Sequence, residues 1–174
     1  MIIERWDLLD ENGCPTGKTT IRGNNTLKSG EYHLVVHIWI VSSDGRFLIQ
    51  RRSPKKKLMP GEWAATGGAA ISGESSFEAA SRELYEELGI RSDEKSLKML
   101  LRLKRRNSLL DVWCIKSDLP ESELVLQPSE VAEAKWISYS QLKGMIENGL
   151  FHNYGKEYFE SVFEKIDSIT GALV

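Results

Sequence analysis

Three glutamates lie close together in one segment of the chain. Glu83, Glu86 and Glu87 are three and four residues apart, so on a helix their carboxylates project from one side of adjacent turns. Like charges at this spacing repel each other, and a structural helix more usually interleaves them with Lys or Arg. Carboxylate oxygens that converge from a helix suit Mg²⁺ or Mn²⁺. The spacing therefore indicates phosphoryl-transfer chemistry, against the alternative of a solvated acidic helix face.

The residues around these glutamates extend the pattern into a longer motif. Arg82 precedes Glu86 by four residues, a spacing at which an ion pair would aim Glu86 toward a metal. In chain order there are Gly68, five residues, Glu74, seven residues, and the run Arg82-Glu-Leu-Tyr-Glu-Glu-Leu-Gly-Ile90. Every fixed position of the Nudix signature is present. The sequence thus resembles the Nudix superfamily, from about residue 31 to the end.

The resemblance implies both a fold and a chemistry. The fold is α/β, an α/β/α sandwich around a mixed β-sheet in which the motif forms a loop, a helix and a loop. Glu83, Glu86 and Glu87 would ligate or position Mg²⁺, with Mn²⁺ as an alternative, and the backbone carbonyl of Gly68 would join them. A metal-activated water would attack phosphorus without a covalent intermediate. We expect hydrolysis of a diphosphate linkage in a small molecule of the nucleoside diphosphate type.

The remaining catalytic roles are predicted from charge and position. Members of the superfamily take the general base from the motif or from a later loop, which makes Glu87 and Glu130 the candidates beside Glu86. For Glu130 the alternative is a surface loop acid. Arg51 and Arg52 follow an apolar strand, and at least one could bind substrate phosphate with its guanidinium, against the alternative of a solvated strand end.

Glu74 and Gly89 stand at the two ends of the predicted helix. A carboxylate near a helix N-terminus is favoured by the helix dipole and the free amides, so Glu74 is expected to cap or orient the helix. Gly89 stands where a helix C-cap is expected. Between them, apolar residues recur at helical spacing, which predicts a helix over 74–88.

Segments outside the motif resemble the branch of the superfamily that includes isopentenyl-diphosphate isomerases: Trp6-Asp7, Gly30-Glu-Tyr-His33, Gln50-Arg-Arg52 and Pro60-Gly-Glu-Trp63. Those isomerases carry a cysteine just before the motif glycine and a metal-binding histidine just after it, where this chain has Gly67 and Ala69. They also have a degenerate motif and two glutamates on a later strand, near which this chain offers only Asp111. His33 matches one isomerase histidine but is expected to be a satisfied strand histidine.

Three hypotheses follow from these residues. Hydrolysis is favoured because the motif is intact, isomerase-like carbon chemistry is the first alternative, and a catalytically silent nucleotide-binding Nudix module is the second. Silent modules commonly lose the motif carboxylates, because clustered charges without a metal only reduce stability. Aromatic residues that could stack on a base, although such positions more often belong to the core, are Trp63, Tyr85, Trp113 and Trp136.

Several elements must position these residues. Turn signals predict a hairpin-like N-terminal extension over 1–30, which could pack on its own sheet or on a second subunit. Loop residues are expected at 53–59 and a loop-to-helix junction at 66–68. Strands are predicted at 32–41, 47–51, 97–103, 111–115 and 134–137, and two further helices at 140–147 and 154–169. One Nudix domain over 1–174 is expected, with the core at 31–174.

Composition limits the partners. The 174 residues include 41% hydrophobic and 28% charged residues and carry a formal net charge of −2, so we expect no nucleic acid polymer as partner. The longest apolar run is far too short for a bilayer, and no export signal is visible, which favours a cytoplasmic protein without a membrane partner. Cys14 and Cys114 are expected to stay unpaired. A homodimer is a possibility that the sequence leaves open.

Overall fold

The structure, a computed structural model, describes residues 4–23 and 27–171. Residues 1–3 and 24–26 of the predicted N-terminal extension lie outside this part of the chain. The strands are β1 Arg5–Leu9, β2 Pro15–Ile21, β3 His33–Val41, β4 Phe47–Arg52, β5 Trp63–Ala64, β6 Thr66–Ala69, β7 Leu97–Lys104, β8 Ser108–Lys116 and β9 Val131–Ile137. The helices are α1 Ser76–Leu88, α2 Tyr139–Glu147 and α3 Lys156–Thr170, with a 3₁₀ turn at Glu121–Glu123.

Strands β3 to β9 form one mixed sheet. Its main order is β5-β4-β3-β8-β7, while β6 pairs with β3 and β9 pairs with β4. Only the long pairing of β3 with β8 is parallel among the described strand pairs, and the others are antiparallel. The C-terminal half of β3 is therefore held by β4 and β8, and its N-terminal half by β6 and β8.

The central strand β3 is buried on both faces, which explains its nearly continuous apolar sequence. Its side chains alternate between two hydrophobic clusters. Ile38 and Ile40 pack with Leu84 and other residues of α1 on one face. Trp39 packs with Phe163 and other residues of α2 and α3 on the opposite face. The sheet thus lies between two helical layers, and the predicted α/β/α sandwich is confirmed.

Helix α1 has well-defined ends. At its N-terminus, the Ser75 hydroxyl accepts the Glu78 amide and the Glu78 carboxylate accepts the Ser75 amide, which forms a capping box. At its C-terminus, Gly89 takes the left-handed conformation (φ 74°) and its amide binds the Tyr85 carbonyl. The Gly89 prediction is confirmed. Of the two roles predicted for Glu74, capping or orienting the helix, the capping role is wrong, because Ser75 is the N-cap residue.

The N-terminal hairpin is present as predicted. Strands β1 and β2 pair in antiparallel register, and the chain then returns to the core through a bridge between Leu9 and Tyr32. The Asp7 carboxylate accepts hydrogen bonds from the Ser72 hydroxyl (2.5 Å) and the Gly73 amide (2.8 Å). The hairpin therefore packs on its own chain, directly beside the loop that precedes α1.

Residues 66–68 differ from the prediction. The sequence predicts a loop-to-helix junction there, but residues 66–69 form strand β6, which pairs with β3 from Val35 to Ile38. Two adjacent glycines lack the β-branched side chains by which a strand is recognised in a sequence. Glycine is required at position 67 of this strand, because a Cβ atom there would collide with the carbonyl oxygen of Val36.

Candidate active site

A cavity of about 650 Å³ opens between the hairpin, strands β3, β4 and β6, and helix α1. Its wall contains five of the residues predicted to act in the site, namely Arg52, Gly68, Glu83, Glu87 and Glu130. Four other predicted residues, Arg51, Glu74, Arg82 and Glu86, are not part of its wall. The structure therefore separates the predicted set into residues that face this space and residues behind it.

Glu87 is the most buried of the three motif glutamates. Its Oε2 atom accepts a hydrogen bond from Gln50 Nε2 (2.8 Å) and one from the Gly67 amide (3.4 Å). The Gln50 amide is oriented in turn by the Thr66 hydroxyl, which donates to Gln50 Oε1 (3.2 Å). Burial, and next the charge of Glu83, raise the pKa of Glu87 to about 7. A carboxyl group with this pKa can accept a proton and release it near neutral pH.

Glu83 lies against the backbone of β6. A Cβ atom on Gly68 would collide with the Glu83 carboxylate, so only glycine leaves space for this carboxylate without a shift. Burial raises the pKa of Glu83, while Arg82 opposes the rise. Two acidic side chains, Glu83 and Glu87, therefore enter one cavity at a place where their ionised forms are both desolvated and mutually repulsive.

Arg82 connects the outer acidic residues. Its guanidinium binds the Glu74 carboxylate through Nε (2.6 Å) and Nη2 (3.0 Å), and its Nη1 atom binds Glu83 (2.8 Å) and Glu86 (3.1 Å). Nη2 also reaches the carbonyl oxygen of Ala69 (3.2 Å). The predicted ion pair between Arg82 and Glu86 is present. Glu74 acts on this network by holding Arg82. The side chain of Glu86 lies at the outer edge of the network and is 47% exposed.

The two arginines of β4 have different surroundings. Arg52 is buried in the cavity wall, and its Nε atom donates to the Leu58 carbonyl (3.2 Å). Arg51 is exposed and donates to the Gly61 carbonyl (3.0 Å). The pairing of β4 with β9 is irregular between these two residues, and of the two only Arg52 is part of the cavity wall. Beside Arg52, Glu130 forms an ion pair with Lys56, and both line the same space.

Polar and aromatic side chains form the rest of the wall. His37 is buried, and its Nδ1 atom lies 2.9 Å from the Tyr158 hydroxyl, which also accepts a hydrogen bond from Trp39 Nε1 (3.0 Å). Burial lowers the pKa of His37 to about 3, with a smaller contribution from the charge of Arg105. His37 is therefore a neutral imidazole at physiological pH.

Trp6 and His33 form a stacked pair in the same wall. Their rings are 4.0 Å apart between centroids and 8° from parallel, and both residues line the cavity. The ring nitrogens Trp6 Nε1 and His33 Nδ1 are buried without a hydrogen-bond partner among residues 4–23 and 27–171. The prediction of a satisfied strand histidine at position 33 is therefore wrong for Nδ1.

Some residues of the site were not predicted from the sequence. Trp6 and His37 in the wall, and Gln50 buried behind it, have no motif of their own, although Gln50 and Trp6 lie in segments that resemble the isomerase branch. The four aromatic residues considered for base stacking are absent from the wall. Asp111 is fully buried and binds Arg102 through both carboxylate oxygens (2.6 and 2.8 Å), and it too lies away from the cavity.

Metal-binding geometry is only partly formed by the side chains. Within residues 4–23 and 27–171, no three His, Cys, Asp or Glu side chains converge as a metal-binding group. Glu83 and Glu87 converge on the cavity, but Arg82 draws Glu86 outward.

Both cysteines are free, Cys14 exposed and Cys114 buried, as predicted. No described helix is long and apolar enough to cross a membrane.

Comparison with known proteins agrees with this arrangement. The NUDIX domain family model matches residues 31–156. The chain belongs to the Nudix family. A Nudix hydrolase of Listeria monocytogenes, described as uncharacterized, is 40% identical over 153 residues, which are 87% of this chain and 90% of that protein. The predicted membership of a family of hydrolytic enzymes is confirmed.

Two further Nudix relatives bear on the branch. The isopentenyl-diphosphate Delta-isomerase of Brevibacterium linens is 32% identical over 152 residues, covering 80% of this chain and 80% of that protein. The crystal structure of DR0079 from Deinococcus radiodurans is 29% identical with a TM-score of 0.72, covering 85% of this chain and 91% of that chain. The Nudix fold is therefore shared along most of the molecule, and the superfamily relatives include both hydrolases and isomerases by name.

Proposed function

We propose that this Nudix enzyme hydrolyses a diphosphate linkage in a nucleoside diphosphate derivative and uses Mg²⁺, or Mn²⁺ in its place. One observation carries the proposal. Glu83 and Glu87 enter the same cavity from one helix, with Gly68 beside them and the guanidinium-bearing Arg52 in the same wall. This combination of hard oxygen ligands and a phosphate-binding cation is the donor set that a metal-dependent phosphoryl transfer requires.

The residues present fit a divalent cation. Two desolvated carboxylates destabilise the fold unless a positive charge compensates them, and burial raises the pKa of both Glu83 and Glu87. We propose that Glu83, the Gly68 carbonyl and, after rotation away from Arg82, Glu86 would hold the ion, while Glu87 stays beside it as a free carboxylate. When bound, such an ion polarises the phosphoryl oxygens and lowers the pKa of a coordinated water.

The remaining steps fall to residues of the chain. Glu87, with a pKa near 7 before the ion binds, is our choice for the group that accepts the proton of the attacking water. Gln50 holds the Oε2 atom of Glu87 and leaves its second oxygen for that proton. Arg52 binds a non-bridging oxygen of the diphosphate through the guanidinium nitrogens that Leu58 does not occupy.

Glu130, the second candidate for the base, has a different role in this proposal. Its carboxylate is paired with the Lys56 ammonium group, so this oxygen pair already has a partner in the cavity wall. We propose that Glu130 keeps Lys56 directed into the cavity, where the lysine contributes positive charge toward phosphate. Arg82 and Glu74 fix the direction of Glu83 in the same indirect way.

Isomerase chemistry is the second candidate, and the Brevibacterium linens relative is the observation in its favour. The site of this chain argues against it. Gly67 and Ala69 replace the cysteine and the histidine of the isomerases, and the space for a Cβ atom at position 67 is filled by the Val36 carbonyl. Asp111 is held by Arg102 outside the cavity. No proton donor to carbon is available at these positions.

The test is a substrate panel with Mg²⁺, Mn²⁺ or excess chelator. The panel holds nucleoside diphosphates, dinucleotides, nucleotide sugars and prenyl diphosphates, and the readout is the phosphate-containing product. We expect a nucleotide substrate to be cleaved only with metal, and Glu83→Gln to reduce that cleavage strongly while Glu147→Gln does not. Isomerisation of isopentenyl diphosphate without any cleavage would contradict the proposal.

A further inference from the structure

The N-terminal hairpin forms part of the cavity wall although it precedes the segment that matches the Nudix family. The match begins at residue 31, whereas Trp6 of β1 and Arg22, which follows β2, both line the cavity. The hairpin is fixed at this place by Asp7, which binds the Ser72 hydroxyl and the Gly73 amide. Part of the wall is thus supplied by a segment that precedes the residues matched by the family model.

The stacked pair of Trp6 and His33 has unused hydrogen-bonding groups. Three other indoles, Trp39, Trp113 and Trp136, each donate their N–H at 3.0 Å to an oxygen of the protein. Trp6 Nε1 and His33 Nδ1 are buried and have no such partner within the described residues. Since most buried polar groups in native proteins are paired, two unpaired nitrogens from adjacent rings of one cavity wall point to a partner from outside the chain.

We propose that Trp6 and His33 determine substrate specificity by binding the nucleobase of a nucleoside diphosphate derivative whose diphosphate lies against Glu83 and Glu87. This inference rests on the proposed function for the position of the diphosphate. It adds a role for the hairpin, which places an aromatic platform with a donor at one end of the cavity.

The chemistry of the pair favours a nucleobase over an aliphatic chain. Indole can only donate, and burial lowers the pKa of His33 to about 4, so its imidazole is neutral and offers one donor and one acceptor. A nucleobase carries both kinds of group on a planar ring that stacks on aromatic side chains. A prenyl chain in the same place would leave both nitrogens unpaired. The volume of about 650 Å³ is typical of small-molecule sites.

The experiment measures binding rather than turnover. Calorimetry with Mg²⁺ compares the α,β-methylene analogues of ADP and CDP, which resist cleavage, with dimethylallyl diphosphate. We expect at least one nucleotide analogue to bind about tenfold more tightly than the prenyl compound, because hydrogen bonds to the base add to the same diphosphate contacts.

Two variants keep an aromatic ring at each position and remove its nitrogens. Trp6→Phe and His33→Phe should each weaken binding of the preferred nucleotide analogue by about tenfold and leave dimethylallyl diphosphate within about twofold. Retained binding of the prenyl compound also shows that the variants fold. Trp136→Phe, which removes an indole that binds the Leu119 carbonyl away from the cavity, is the matched control and should change neither affinity.

The outcomes separate this inference from the proposed function. The inference is overturned if the nucleotide analogues bind no more tightly than dimethylallyl diphosphate, if no diphosphate binds, or if the variants weaken both classes equally or neither. A parallel assay with ADP and CDP measures hydrolysis. Nucleotide binding that depends on Trp6 but is followed by no hydrolysis supports the inference and contradicts the proposed reaction. Hydrolysis together with unchanged nucleotide affinity in the variants supports the proposed reaction and contradicts the inference.

Discussion

The two ends of the cavity are built in different ways. At the acidic end, Glu83 and Glu87 of α1 face Gly67 and Gly68 of β6, and a hydrogen bond joins positions only 20 residues apart. In another part of the wall, Trp6 from the hairpin stacks on a residue of the central strand. The first arrangement is local in the sequence and rich in charge. The second depends on tertiary packing and on aromatic rings.

Under the proposed roles, this difference separates chemistry from recognition. The acidic end has few tolerable changes, because a Cβ atom on Gly68 would displace the carboxylate of Glu83. The wall formed by Trp6 and His33 can change ring by ring without altering the carboxylates. We therefore expect substitutions at the acidic end to reduce kcat and substitutions in the wall to raise KM.

The largest effect is expected for Glu87→Gln. The amide keeps the shape of the side chain but can neither accept a proton from water nor balance a divalent cation, so kcat should fall by roughly 10³-fold. Steady-state kinetics on the best nucleotide of the panel measures this, with Glu130→Gln as the comparison. A loss in Glu130→Gln as large as in Glu87→Gln would remove the distinction drawn between the two candidate bases.

A second test uses the pH dependence of stability in the metal-free protein. Folding raises the pKa of Glu87 from 4.5 to about 7, so the folded state binds a proton that the unfolded state has released. This stabilisation is fully present below pH 4.5 and is lost as the pH rises through about 7, on the order of 3 kcal/mol. Urea unfolding at about pH 5 and pH 8 measures the decrease, which should shrink in Glu87→Gln. An equal decrease in the variant would show that other groups are responsible.

Arg82→Lys should have the next largest effect. Lysine keeps the charge but cannot bind Glu74 through two nitrogens while it also reaches Glu83. The misdirected carboxylate should weaken Mn²⁺ binding by about 10- to 100-fold, measured by calorimetry. Arg91→Lys, a change on an arginine that lies over the exposed Tyr85 ring, is the control and should bind Mn²⁺ as the unaltered protein does.

The two arginines of β4 provide a matched pair on the recognition side. Arg52→Lys should raise KM by about tenfold with a smaller change in kcat, because a fork of hydrogen bonds to phosphate becomes a single contact. Arg51→Lys, at an exposed residue outside the cavity wall, should leave both constants within about twofold. Equal effects of the two changes would contradict the assignment of Arg52 to the cavity.

The smallest effect is expected for Asp7→Asn, which weakens the attachment of the hairpin to Ser72 and Gly73. Loss of one charge-assisted hydrogen bond at a partly exposed position corresponds to about 1 kcal/mol and a decrease in Tm of about 2–4 °C. KM for the nucleotide should rise about two- to threefold with kcat unchanged. A decrease in kcat of the same size would show that the hairpin also positions the acidic end.

The sequence predicted the acidic end well because its information is local. The spacing of Glu83, Glu86 and Glu87, the position of Gly89 and the glycine at position 68 are all constrained by one helix and its flanking turns. The sandwich was also predictable, since the apolar run of β3 and the periodicity of the helices indicate which faces are buried.

The rest required three-dimensional structure. Whether Arg51 or Arg52 faces the cavity depends on the register of β4, which a run of two arginines does not specify. The outward direction of Glu86 depends on the ion pair that Arg82 forms with it. The contribution of Trp6 depends on the hairpin folding back over the sheet, a contact between residues that no helical or strand period relates.

The hydroxyl group of Tyr158 determines the position of a proton inside the cavity. Indole can only donate, so this oxygen accepts from Trp39 and keeps its own hydrogen for an acceptor, for which His37 Nδ1 lies at 2.9 Å. With Nδ1 as the acceptor, the imidazole carries its hydrogen on Nε2. In this arrangement a tyrosine of the last helix selects one tautomer of a histidine on the central strand. A Tyr158→Phe change would remove that hydrogen-bond donor, so the hydrogen of the His37 imidazole could lie on either ring nitrogen.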